Sequence, residues 1–147
     1  MMRAMTTLLL AGALAMPTMA ADIEDQIEFR QGYWQVVKHE FADVMAAMLR
    51  QKRPMDADRF AVAAERLAVL ASLAKEAFPA GSVSDESRAL AKIWDDEAGF
   101  AKAVTAFEEK AVALKVAVDS QDQAAIGGAF KAMGGTCKSC HDTYRAE

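Results

Sequence analysis

The sequence predicts an all-α domain, an antiparallel up-down-up-down four-helix bundle, on three observations. Apolar residues recur at three-, four- and seven-residue steps in four separate segments. Aromatics are only 7% of the 147 residues while apolar residues reach 53%, much of it alanine. That composition favours closely packed helices over sheet. The first and last connections are short, which makes the helices they join antiparallel neighbours. No repeat, low-complexity tract or second domain is visible, and the length suits one core.

Residues 1–20 read as a cleaved signal peptide and 21–147 as the bundle. Arg3 is the one charge before an apolar run from Leu8 to Met16, and Thr18-Met19-Ala20 offers small residues where a signal peptidase reads. The run is shorter than the roughly 20 residues of a membrane-spanning helix, which disfavours an uncleaved anchor. Export to the periplasm is the expected outcome.

In the first helix Ile27, Trp34, Phe41 and Met48 form one line at seven-residue intervals, and Ile23, Arg30, Val37 and Val44 the neighbouring one. Together they trace a bundle seam. Cations from Arg50 to Arg53 and then Pro54 end it. Asp56 or Asp58 caps a second helix with Phe60, Ala63, Leu67, Leu70, Ala74 and Phe78 inward, closed by Pro79 and Gly81. A longer connection follows, with a short helical piece expected over 87–94. Asp95 or Asp96 opens a third helix lined by Phe100, Val104, Phe107, Ala111, Leu114 and Val118. After a polar turn at 119–122, the fourth helix carries Ile126, Phe130, Met133, Cys137, Cys140 and Tyr144 on one stripe, so the segment 137–141 is expected to project into the interior. Gly127-Gly128 and Gly134-Gly135 interrupt this helix, each glycine at a cost of about 1 kcal/mol against alanine. The second pair reads as a place where a flat group or a helix approaches the backbone closely.

The full chain has 17 Lys and Arg against 21 Asp and Glu, a formal charge of -4. Losing the leader removes Arg3 alone and leaves -5. With no basic stripe, nucleic acid is excluded as a partner class.

The chemistry lies in Cys137-Lys138-Ser139-Cys140-His141, which contains the only two cysteines and one of two histidines. C-x-x-C-H is the attachment sequence of c-type haem. On a helix both thiols and the imidazole four residues after Cys137 share one side. The thiols can add to the vinyl groups of one porphyrin while His141 ligates the iron. A redox C-x-x-C would want a βαβ context that is missing. A structural zinc site needs four ligands, and only His39 remains to help. Helical phase places His39 off the seam, in solvent. A fortuitous pair of cysteines leaves the adjoining histidine unexplained. Arg30 is the one charge on the apolar double line, and a buried guanidinium calls for an anionic partner; the alternative is a head that snorkels to the rim.

These residues resemble cytochrome c′, the class II c-type cytochromes, over most of the mature chain. The resemblance rests on Arg30-Gln31, Ile93-Trp94-Asp95, and the C-terminal motif with Asp142, Tyr144 and Arg145. It implies one covalent haem c near the C-terminal helix, with thioether bonds from Cys137 and Cys140 and His141 as axial iron ligand. Arg145 matches a basic residue beside that imidazole. Arg30 matches an arginine at a haem propionate, with Gln31 beside it as a cofactor contact. Phe78 matches an aromatic that lines the distal pocket. The family also commonly forms homodimers through its first two helices.

In low-spin relatives of the cytochrome c556 type, a methionine four places after the matched arginine ligates the iron. Here that position is Trp34, whose indole is no ordinary iron ligand. Met45 and Met48 lie too far along the helix to replace it. The resemblance therefore implies five-coordinate, high-spin iron under an apolar cap. It binds nitric oxide, and carbon monoxide less readily, and exchanges electrons with redox partners the sequence does not identify. The protein is expected not to be an enzyme. The alternative is a low-spin electron carrier.

Overall fold

The structure is a computed structural model that describes residues 19–147, with side chains from Ile23 onward. All but the last two residues of the expected leader lie outside the described residues. Helix α1 spans Met19–Lys38, continues as π-helical turns over His39–Ala46 and ends in one α-helical turn, Ala47–Leu49. Helix α2 spans Ala57–Ser72 and is followed by a 3-10 turn, Ala74–Ala77. The short α3, Lys92–Asp95, precedes α4, Glu97–Asp119, and α5, Gln123–Tyr144. Among the described residues the one extended pairing is an antiparallel bridge between Ala89 and Arg145.

Helices α2, α4 and α5 start where an aspartate can accept from their unsatisfied N–H groups. Asp56, rather than Asp58, accepts from Arg59 N at 2.9 Å. Asp96, rather than Asp95, accepts from Gly99 N at 3.1 Å. Asp122 accepts from Ala124 N and Ala125 N at 2.8 and 3.2 Å.

Pairing across the bundle is antiparallel. Along α1, Arg30, Tyr33 and Glu40 meet Ala77, Leu70 and then Arg66 and Arg59, so one number rises as the other falls. At the other side, the start of α4 meets the end of α5 where Phe100 packs edge-on to Tyr144 at 5.4 Å. Phe41 stacks on Phe130 at 4.3 Å and closes the ring between α1 and α5. Val37, Val44, Met48, Phe60, Leu67, Phe107, Leu114 and Met133 fill one continuous core.

The π-helical turns depart from the simple heptad. Their wider i→i+5 turns bring consecutive residues Val44, Met45 and Ala46 all inside, while Glu40 follows Tyr33 and Val37 inward at ordinary helical steps. The apolar lines give no sign of this carboxylate, which is only 2% exposed. Arg59 and Arg66 from α2 donate to its two oxygens at 2.6 and 2.9 Å. The connection before α4 differs too. Its helix is limited to Lys92–Asp95, because the stretch from Ser87 to Leu90 runs beside the chain terminus instead. Leu90 N donates to Tyr144 O at 3.0 Å, and Ala146 N to Arg88 O at 2.8 Å.

Burial pushes the Glu40 carboxyl up, but the hydrogen bonds and charges of Arg66 and Arg59 outweigh it and hold Glu40 below the ordinary carboxylate range. A depressed carboxyl stabilises the fold above its ordinary titration range and loses that contribution as pH falls through the lowered value. The Arg59 and Arg66 side chains are 27% and 58% exposed, so solvent screening moderates the loss. Glu40→Gln should lower unfolding free energy at pH 7 by about 1–3 kcal/mol. Urea denaturation of both proteins should show the gap closing toward pH 3.

Candidate functional site

Cys137, Cys140 and His141 lie on the last turns of α5, in one continuous helix that passes through both glycine pairs. Cys137 and Cys140 are half-buried free thiols packed against the core. His141 is exposed. The motif therefore sits at the margin of the core, rather than projecting into it as the stripe pattern predicted. The half-buried stripe at this end opens onto a shallow groove of ≈ 210 Å³ between α4 and α5. Small residues make its walls: Ala103 and Ala106 from α4; Ala132, Gly135, Thr136 and Ser139 from α5, next to Cys140. A Cβ at Gly135 would meet open space, and one at Gly134 would stand 3.4 Å from the Phe41 ring. Close approach thus holds for Gly134 alone, and its neighbour is a side chain. Gly127 and Gly128 face open space. A larger cavity of ≈ 630 Å³ opens between the α1–α2 connection and Gln123. It lies 14 residues up α5 from Cys137, about 21 Å of helix, and away from this chemistry.

The final turn is pinned from several directions. Tyr144 Oη donates to Asp96 Oδ2 at 2.8 Å, and Asp96 is the cap of α4. Position 99 must be glycine here, since a Cβ would overlap the Asp96 carboxylate and the Tyr144 hydroxyl. The Tyr144 bond and that from Gly99 N hold Asp96 below the usual carboxylate range. Partial desolvation of its ring against the helix end lowers the His141 pKa, and the positive charges of Arg145 and Arg88 lower it further. A neutral imidazole keeps a lone pair for a metal. Burial raises both thiols, Cys137 most directly, with its proximity adding to the rise at Cys140.

Arg30, Trp34 and Phe78 come together where α1 meets the end of the 3-10 turn. The Trp34 ring lies 4.8 Å from Tyr33, 5.9 Å from Phe107 and 6.3 Å from Phe78. The 3-10 turn ends the helical register of α2, yet it delivers Phe78 to this cluster. Phe78 meets Phe100 edge-on at 5.0 Å, and Phe100 meets Tyr144, so aromatic contacts run from Trp34 to the motif helix. Arg30 is 3% exposed, so its head does not snorkel. Its acceptors are neutral rather than anionic: Ala77 O at 2.7 Å, Ser87 Oγ at 2.9 Å, Ser82 O at 3.1 Å, and Ser82 Oγ. Gln31 stays near the surface and donates to Glu86 O at 3.5 Å. His39 is exposed beside Asp43, as its helical phase required.

With this geometry, the family model described as Cytochrome C' matches residues 25–145. The chain belongs to the cytochrome c′ family. The cytochrome c-554 of Cereibacter sphaeroides is 37% identical over 139 residues, covering 90% of each chain. The solved cytochrome c prime from Shewanella frigidimarina superposes with a TM-score of 0.80 at 43% identity, over 85% of this chain and 97% of that one. A variant of the Alcaligenes xylosoxidans cytochrome c prime, solved as its nitric oxide complex, gives 0.77 at 30% identity, over 85% of this chain and 97% of that one. A further variant of that protein was solved with carbon monoxide bound.

As a cytochrome c′, the protein carries covalently bound haem c. The donor set fits that group. Two free thiols and a neutral imidazole occupy one end of one helix, and the chain has no other cysteine. Three contributors escaped the sequence pattern. Ser82 and Ser87 are neutral hydroxyls in a connection, where nothing in the local sequence marks them. Arg88 is an isolated cation whose proximity to His141 arises only from the pairing of 88–90 with the C-terminus.

On a peroxidase-stained denaturing gel the protein should retain its haem signal after reduction and boiling. A Cys137→Ser/Cys140→Ser double variant should lose it. Retention by the double variant would contradict thioether attachment.

Proposed function

We propose that this is a periplasmic c-type haem protein whose five-coordinate iron binds nitric oxide, and carbon monoxide less readily, and exchanges electrons. Export would follow cleavage of residues 1–20, leaving 21–147 as the working domain. Cys137 and Cys140 would carry the thioether bonds and His141 would ligate the iron, with Arg145 beside it holding the imidazole neutral. The haem supplies a redox-active iron with one open face. The observation carrying this reading is Trp34, one turn after Arg30, packed among Tyr33, Phe107 and Phe78.

An indole offers bulk and no ligating atom, so it screens that face without closing it. The ring cluster favours a gas that binds strongly without a hydrogen-bond donor, as nitric oxide does. The nitric oxide and carbon monoxide complexes of the Alcaligenes relatives support the same ligand class. Tyr33 donates to Leu70 O at 2.6 Å and burial raises its pKa, so it is a poor proton-transfer group. The role is therefore binding and electron exchange rather than catalysis of bond rearrangement. Four of the five N–H groups of Arg30 are engaged by the chain, leaving one on Nη1 for a propionate. Gln31 would flank the same edge.

A homodimer is part of this proposal. Phe29 and Val36 on α1, and Val62 and Val69 on α2 with Leu73 just past its end, are exposed apolar side chains on adjacent helices. The intervals of seven from 29 to 36 and from 62 to 69 make a stripe suited to a second copy.

Trp34→Ala should bind carbon monoxide at least about tenfold faster in the reduced holoprotein, a barrier change of ~1.4 kcal/mol. An unchanged rate in stopped flow would refute steric screening. In sedimentation velocity the protein should run as a dimer and Val69→Glu as a monomer. A monomeric parent at micromolar concentration would refute the dimer.

A further inference from the structure

Arg30 is buried, charged and bonded entirely to one segment of chain. The segment is the 77–87 connection, which contributes Ala77 O to Nε, Ser87 Oγ to Nη1, and both oxygens of Ser82 to Nη2. The guanidinium also lies between two rings, 4.9 Å from the centroid of Phe78 and 5.5 Å from that of Trp94. Ser82, itself 2% exposed, passes the network on by donating to Pro79 O at 2.8 Å. The Trp94 indole donates to the same carbonyl at 2.9 Å. At the far end Ser87 Oγ accepts from Ala89 N at 3.2 Å, and Ala89 bridges to Arg145.

A connection of this length has no regular ladder to satisfy its carbonyls, and buried carbonyls need partners. One rigid fork with donors in a plane meets three residues of the segment at once. Lysine could supply the charge but not that geometry. Because the fork grips Ala77 O and lies over the Phe78 ring, it fixes where Phe78 stands relative to Trp34.

We propose that Arg30 is a positioning residue, a clamp that works through Ser82 and Ser87 to hold Phe78 against Trp34 and so sets access to the open side of the iron. This goes beyond a counter-charge for a propionate, and it rests on the reading of Trp34 as the screen over that face. The residues that would reveal it, Ser82 and Ser87, lie outside the ring cluster.

The test compares Ser82→Ala/Ser87→Ala, Arg30→Lys and the parent as full holoproteins. Carbon monoxide association should rise about tenfold in both variants, the effect expected when charge-assisted hydrogen bonds are lost from a gate. The reduction potential of the serine variant should stay at the parent value, because no charge has changed. Limited proteolysis should cut both variants within 79–91 at least about tenfold faster than the parent. Parental behaviour of Arg30→Lys in both measurements would show that charge alone suffices and overturn the clamp. So would a serine variant with unchanged protection of 79–91. If the parent takes up no carbon monoxide at all, the gas-binding reading fails. The proteolysis comparison then still decides whether the clamp exists.

Discussion

A helix that ends at a cofactor cannot be allowed to fray there, and the fixing of the last turn of α5 is the constraint on which this molecule depends. Helix termini leave carbonyls unsatisfied and loosen first. Here Tyr144 is buried against Phe100 and bonded to Asp96, while Arg145 pairs with Ala89 and Leu90 N reaches Tyr144 O. Two separate segments, the start of α4 and the 89–90 stretch, therefore hold the turn that presents His141. The bond to Asp96 joins the end of α5 to the cap of α4, so one carboxylate serves the start of one helix and the end of another.

The packing of α1 on the 77–87 connection is organised by Arg30. Burying a guanidinium without acceptors would be costly, and the 77–87 connection offsets most of that cost by engaging four of its five N–H groups with carbonyls and hydroxyls. In doing so it gives an irregular segment a defined path. That path brings Phe78 beside Trp34 and carries Arg88 toward His141. The two halves of the site communicate through packed rings, from Trp34 through Phe78 and Phe100 to Tyr144. The Glu40 cluster with Arg59 and Arg66 joins α1 to α2 away from these groups.

The helices and their order were legible because each interior face repeats at helical spacing and α2, α4 and α5 are each preceded by a capping aspartate. The attachment motif was legible because its chemistry resides in three neighbouring side chains. Glu40 was hidden for another reason: it follows Tyr33 and Val37 inward at ordinary helical steps, but a carboxylate outside the two apolar lines reads as solvent-facing. Arg30 stood out as a charge on an apolar seam, but its partners did not. Ser82 and Ser87 are 52 and 57 residues away, in a stretch without periodicity. The exposure of His141 was misjudged for a related reason. A stripe predicts which side of a helix faces inward, not whether neighbouring helices extend far enough to cover its last turn.

The central claim is that a protein-supplied atom binds the iron on the His141 side only. Optical spectra of the oxidised and reduced holoprotein measure this directly. A five-coordinate site under Trp34 gives high-spin spectra in both states, with a broad ferrous band and no sharp α-band. A sharp low-spin α-band on reduction would mean that a side chain occupies the second face, and would contradict the open site on which gas binding depends.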